Sequence, residues 1–180
     1  CFDGVPYCAE NAFLAFWQRN GGLEILGLPV SQPFVDNRGL IVQFYERAIM
    51  EWHPENEPRY QVLLTLLGSD RLGTRSERTA PAVPCANNCA TFAETGHTLR
   101  GVFKDYWESN GGLPVFGFPL TEEFTETNAG NGKPYTVQYF ERNRFEYHPE
   151  NEGRYQVLLG RLGAESLETQ PQVLGRPAAQ

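Results

Sequence analysis

The chain has 180 residues, of which 41% are hydrophobic and 13% aromatic, and it carries 15 Lys and Arg against 22 Asp and Glu for a net charge of −7. That composition suits a globular core and excludes wholesale disorder, while the acidic balance and the lack of any Lys/Arg run exclude nucleic acid as a partner. No stretch reaches the roughly 20 apolar residues that a membrane-spanning helix needs.

The numbering begins at Cys1 without an initiator Met, which leads us to expect a mature chain whose export signal has been removed. Cys1 with Cys8 and Cys85 with Cys89 make two tight clusters. In an exported chain four cysteines read as two disulfides with three alternative pairings, and the local pairing would staple the start of each half. Cys1 is also where a lipid anchor or an N-terminal nucleophile would stand. The anchor would leave Cys8 unpaired, and the nucleophile lacks an evident oxyanion site. Beside Cys85 and Cys89 there is no second close pair of Cys or His, so no zinc site is expected.

Phe13, Phe16 and Trp17 share a helical stripe that Asn20-Gly21-Gly22 ends. LGLPVS from Leu26 places Gly and Pro two apart and predicts a tight turn, with a short strand around Phe34 after it. An alternating run from Val42 predicts a hairpin. In HPENEPRYQVLL, Pro54 ends the strand at His53, Asn56 is a good N-cap, and Tyr60, Leu63, Leu64 and Leu67 fall on one helical face before Gly68. GTRSERTAPAVP, residues 73–84, is polar, Pro-containing and without period, as a linker is.

The second half writes the same elements again. Leu99, Phe103, Tyr106 and Trp107 make the helical stripe, Asn110-Gly111-Gly112 its stop, and FGFPLT from Phe116 the turn. Val137, Tyr139, Phe145 and Tyr147 alternate with Gln138, Phe140, Arg144 and Glu146 about a turn near Arg142-Asn143. HPENEGRYQVLL then repeats the strand end and the helix, with Tyr155, Leu158, Leu159 and Leu162 before Gly163. Roughly half of the paired positions are identical, which makes a duplicated unit of about 75 residues. A five-residue insertion lies between Phe124 and Val137, relative to Phe34 and Val42, and it marks a surface loop. Its oxygens are those of a calcium loop, but the terminal bidentate Glu is missing.

The expected fold class is therefore α+β, as two tandem repeats. Each has an N-terminal helix, a small antiparallel sheet with a hairpin, and a C-terminal helix. Residues 1–72 make the first repeat unit, 73–84 a linker, 85–167 the second repeat unit, and 168–180 an extended C-terminal arm.

No nucleophile elbow and no helical zinc-binding His pair is present, so no catalytic residue, metal or cofactor is expected. His53 and His148 each have a carboxylate two residues on, Glu55 and Glu150, but a His at a strand end beside Pro favours packing or hydrogen bonding over catalysis. Trp17, Trp52, Trp107 and Tyr147 offer flat faces that suit sugar rings, against the demand of a small unit for aromatic core. Glu46-Arg47 and Glu141-Arg142, near the hairpin turns, pair with each other or with a ligand.

The segment from Thr95 to Glu123, TGHTLRGVFKDYWESNGGLPVFGFPLTEE, resembles the LGFP repeat, with a helical Trp, a glycine stop, Leu/Phe-Gly-x-Pro, then Thr and acids. That family follows with Gln-x-Phe-Glu and Trp-x-Pro. Gln138, Phe140, Glu141, Tyr147 and Pro149 stand at that spacing, as do Gln43, Tyr45, Glu46, Trp52 and Pro54. The resemblance covers about two thirds of each unit, and the HPENE-RYQVLL extension, Tyr45 and Tyr147 depart from it. It implies a non-catalytic repeat of secreted and cell-envelope bacterial proteins that attaches its bearer to cell-wall material. The expected partner is cell-wall or extracellular polysaccharide, and the expected location is secreted or at the cell surface. The competing expectation is a structural subunit that joins copies of itself into a filament or surface layer through the C-terminal arm.

Overall fold

Strand-forming runs and short helices alternate along residues 1–169, the part of the chain that the computed structural model describes. The first half supplies α1 (Asn11–Arg19), α2 (Gly22–Ile25), β1 (Phe34–Val35), β2 (Ile41–Phe44), β3 (Ile49–Trp52), β4 (Val62–Leu64) and α3 (Leu67–Leu72). The second supplies β5 (Cys89–Phe92), β6 (His97–Arg100), α4 (Gly101–Ser109), α5 (Gly112–Phe116), β7 (Phe124–Thr127), β8 (Pro134–Tyr139), β9 (Arg144–Tyr147), β10 (Val157–Leu159) and α6 (Leu162–Thr169). The protein is mixed α+β, and its strands pair antiparallel as β1-β2-β3-β4, β10-β9-β8-β7 and β5-β6.

Two units result. Among the described residues, one comprises Cys1–Leu67 together with residues 161–169, and the other comprises Gly68–Gly160. They are not the contiguous blocks 1–72 and 85–167 that the sequence pattern suggests. The helix that follows β4 belongs to the second unit, and the helix that follows β10 belongs to the first.

In the first unit, alternation sends Gln43 and Met50 to the face of the sheet that carries α1, where both are fully buried. Phe34, Val42 and Phe44 point the other way and are closed over by Leu167 of α6. In the second unit Phe145, on the face toward α4, is the hub of an aromatic core. Its ring lies 4.1 Å from Phe140, 4.9 Å from Phe116, 5.2 Å from Tyr106 and 5.8 Å from Phe103. On the opposite face Val137 and Tyr139 pack with Leu120, Tyr135 and Leu72 of α3.

Gly68 and Gly163 do not stop helices, as the sequence suggests, but sit inside the first turns of α3 and α6. A Cβ on Gly163 would overlap the carbonyl oxygen of Tyr45 and lie 2.8 Å from that of Ala48. On Gly68 it would overlap the carbonyl oxygen of Phe140 and lie 2.8 Å from that of Asn143. Each helix thus presses its backbone onto a hairpin turn, and Ala164 N–H donates to Glu46 O (3.1 Å) as Ser69 N–H donates to Glu141 O (3.0 Å).

Three further expectations are corrected. The helices expected over Tyr60–Leu67 and Tyr155–Leu162 are instead 3-10 turns (Pro58–Tyr60, Gly153–Gln156) leading into strands β4 and β10. Asn56 Nδ2 donates to Tyr60 O (3.2 Å) and closes a turn rather than capping a helix. Val62–Leu64 then satisfies the backbone groups along the edge of β3, which a helix would have left open. Leu99 lies on β6, in a hairpin with β5 that the helical stripe obscured. Residues 73–84 are not a free linker, because Arg75 pairs with Glu126 (2.6 Å) and Val83 O accepts from Thr98 Oγ1 (2.9 Å) within the second unit. Of the expected arm, Glu168 and Thr169 end α6, and residues 170–180 lie outside the described residues.

Candidate functional site

The turns Leu26-Gly27-Leu28-Pro29 and Phe116-Gly117-Phe118-Pro119 are each held from two sides. Trp17 Nε1 donates to Gly27 O (2.7 Å) and Trp107 Nε1 to Gly117 O (3.1 Å). From the hairpin, Glu46 Oε2 accepts Leu28 N–H (3.1 Å) and Glu141 Oε2 accepts Phe118 N–H (3.1 Å). Gly27 and Gly117 have φ of +78° and +79°, and a Cβ there would lie 2.6 Å from the Cβ of Glu46 or Glu141, so only glycine fits. Arg47 Nη1 donates to Leu23 O (3.0 Å) and Arg142 Nη1 to Leu113 O (3.5 Å). Trp17, Trp107, Glu46, Arg47, Glu141 and Arg142 therefore clasp a turn, with the Trp17 ring against Phe2 (4.8 Å) and the Trp107 ring against Phe92 (5.7 Å).

The other polar concentration lies on the α3-facing side of β9 and beyond it. Buried His148 is clamped between two carboxylates, Nε2 to Glu146 Oε2 (3.3 Å) and Nδ1 to Glu150 Oε1 (3.1 Å). Its ring lies 3.9 Å from that of Tyr135. Glu146 also accepts from buried Arg144 (2.6 Å), which reaches Glu126 (3.3 Å), and Glu126 in turn accepts from Tyr139 Oη (3.0 Å) and Arg75. Such a run of paired groups offsets the desolvation of each member, whereas a lone charge in that place would be costly. The carboxylates lie on opposite sides of the imidazole rather than converging, and among the described residues no cluster of three potential ligands is placed to hold a metal.

The first unit builds the same clamp. His53 lies between Glu51 (3.3 Å) and Glu55 (3.0 Å), while Arg38, which pairs with Glu51 and with Asp36 (2.7 Å), supplies the cation. Burial pulls the pKa of His53 down, but its hydrogen bonds to Glu55 and Glu51 outweigh that and raise it above the ordinary 6.5.

The five-residue insertion makes the second unit different. Asn128 turns the loop by accepting Gly130 N–H (2.8 Å) and anchors it to Glu146 Oε2 (2.9 Å), and Asn131 donates to Tyr135 Oη (3.1 Å). Tyr135 Oη donates to Glu150 Oε1 (3.0 Å). Between this loop and the end of β9 lies a cavity of about 490 Å³, lined by Lys133, Tyr135, Thr136, Tyr147, Pro149 and Glu150 among others. The Glu150 carboxyl lies below its ordinary pKa, chiefly through its own backbone N–H, with His148 and Tyr135 adding to that against the opposing effect of desolvation. The groove thus presents an apolar ring, an ammonium group and a fixed anion together. The first unit has Leu40 where Tyr135 stands, so Glu55 has no phenol to hold it. A smaller cavity of about 230 Å³ lies elsewhere in the first unit, between Pro6, Tyr7, Pro29 and Glu46.

Of the residues singled out in the sequence, Tyr147 lines the groove. Trp52 is half-buried on β3, opposite Ile41 and Val62. Sequence reasoning missed Lys133 and Tyr135, although the insertion that carries them was visible. Glu150 was noticed only as a partner for His148. The cysteines are joined as Cys1–Cys8 and Cys85–Cys89, so in this state the Cys1 sulfur is available neither as a lipid attachment point nor as a nucleophile. Among the described residues no helix is long and apolar enough to cross a membrane. No protein-family model matches the chain, and no curated protein matches it.

Proposed function

We propose that this chain is a non-catalytic, exported cell-surface module, built by tandem duplication, that binds cell-wall or extracellular polysaccharide in the groove of its second unit. The observation that carries the reading is the grouping of Tyr147, Lys133 and Glu150 around a cavity of about 490 Å³. An aromatic face covers the apolar side of a pyranose, while a carboxylate and an ammonium group satisfy its hydroxyls. Both nitrogens of His148 are engaged by carboxylates, which suits a residue that fixes Glu150 better than one that moves a proton to a substrate. The two disulfides fit an oxidising, extracellular setting. The resemblance to LGFP repeats points the same way.

The test is retention on bacterial cell-wall sacculi carrying their attached polysaccharide, compared with sacculi stripped of it. Intact sacculi should retain the protein, and Tyr147→Ala should weaken retention about tenfold, the effect of losing one ring contact of about 1.4 kcal/mol. Equal behaviour of wild type and Tyr147→Ala, or no retention at all, would remove the groove from consideration.

A further inference from the structure

Each unit is completed by a helix that the chain supplies from beyond the other unit's sheet. The two seats have the same chemistry. Both helices read Leu-Gly-x-x-x-Leu, as Leu67 to Leu72 and as Leu162 to Leu167. In both, the glycine lies against a hairpin carbonyl, Phe140 for α3 and Tyr45 for α6. The next residue donates its N–H to a hairpin glutamate carbonyl, Glu141 or Glu46. The final leucine closes the apolar face of the sheet. For α6 a further tie is Arg161 to Glu46 (3.3 Å).

Only Gly160 and Arg161 separate β10, which belongs to the second unit, from α6, which packs in the first. An element joined covalently to one unit and packed in another makes the same contacts whether the receiving unit is its own or a second copy's. Short connections favour such exchange, because they cannot relax when the element is seated in its own chain. We infer that α6 is an exchangeable helix and that its partner is a second copy of this chain, whose Tyr45–Ala48 hairpin turn receives it.

The seat on the hairpin and the face of α6 are different surfaces. One-way repetition of the contact between copies is therefore heterologous and extends head to tail, while reciprocal exchange closes two copies as a dimer. Dilute chains keep α6 at home, since a short tether gives an effective concentration in the millimolar range. Crowding of copies at a surface brings the competing seats to a similar concentration and shifts the balance to assembly. Exchange of α6 involves no glycan and is independent of polysaccharide binding in the groove.

The experiment uses the full chain. Equal amounts of isotopically labelled and unlabelled monomer are brought to about 1 mM, warmed to the foot of the unfolding transition, cooled and diluted. Native mass spectrometry and light scattering then count the copies, and hydrogen exchange reads β2 and β3. The expected result is mixed-label dimers, with larger multimers where exchange is one-way, in which β2 and β3 keep monomer-level protection. A Gly-Ser-Gly-Ser insertion between Gly160 and Arg161 preserves seat and helix alike, and should lower the multimer fraction about tenfold by relaxing the connection. Absence of mixed-label multimers overturns the inference. So do multimers whose β2 and β3 have lost protection, or a multimer fraction that the insertion leaves unchanged.

Discussion

Replacing Gly163 by Ala should destabilise the first unit, although the same change in a helix ordinarily stabilises by about 1 kcal/mol. The added Cβ would overlap the Tyr45 carbonyl oxygen and lie 2.8 Å from that of Ala48, inside the 3.0 Å that real Cβ atoms keep. To recover contact distance α6 must withdraw by about 1 Å. That strains the 3.1 Å bond from Ala164 N–H to Glu46 O and loosens Leu162, which is 1% exposed. A lost hydrogen bond costs about 1 kcal/mol and overpacking about 1–3 kcal/mol. Set against the propensity gain, the net loss is about 1–3 kcal/mol, or a fall in Tm of about 2–4 °C per kcal/mol in a chain of this size. Thermal unfolding gives the sum, and hydrogen exchange resolved by strand gives the location. Gly163→Ala should loosen β2 and β3, whereas Gly68→Ala, which meets Phe140 and Asn143, should loosen β8 and β9 in the other half of the sequence. Unchanged stability in both variants, or a Gly68→Ala effect confined to β3 and β4, would refute the crossed docking of the helices.

Tyr45 Oη donates to the Oε1 of fully buried Gln43 (2.8 Å), while in the second unit Phe140 stands in the corresponding place and Gln138 Oε1 has no hydrogen-bond partner. Tyr45→Phe should therefore cost about 1–3 kcal/mol by stranding a buried acceptor, and Phe140→Tyr should gain about 1 kcal/mol; denaturant unfolding that shows the opposite signs would contradict the assignment. The raised pKa of His53 means that the folded chain holds this proton more tightly than the unfolded one. Its stabilisation is complete below the ordinary value of 6.5 and is lost as pH rises through the folded pKa. Urea unfolding between pH 5 and pH 9 should accordingly show a decline that His53→Gln flattens, and identical pH profiles for the two proteins would show that the clamp carries no proton linkage.

Much of the local architecture was legible. The β2–β3 and β8–β9 hairpins, the Gly-x-Pro turns and the proximity of the paired cysteines all follow from alternation, from glycine and proline two apart and from short spacing. The strands β4 and β10 were not legible, because three apolar residues in a row fit a buried strand as readily as a helical stripe. What decides is the edge of β3 or β9, whose backbone groups need a partner. The β5–β6 hairpin escaped because Leu99 happens to continue the spacing of Phe103 and Tyr106. Within the candidate site, the aromatic and charged residues that drew notice as ligand contacts proved in six cases to hold the Gly-x-Pro turns, through hydrogen bonds to Gly27, Leu28, Gly117 and Phe118 and to Leu23 and Leu113. The groove came instead from the loop in which the second half carries five more residues than the first.

The sequence by itself determined which segments turn, which alternate, and that each half writes Leu-Gly-x-x-x-Leu after its dodecamer, because these properties depend on neighbours a few residues apart. Only the tertiary structure decided where those two helices go. Both hairpins offer backbone carbonyls at matching positions and an apolar face, so the Leu-Gly-x-x-x-Leu pattern alone does not assign a helix to a seat. Long-range backbone and core packing decides it, and each unit takes the helix that the other half of the sequence encodes.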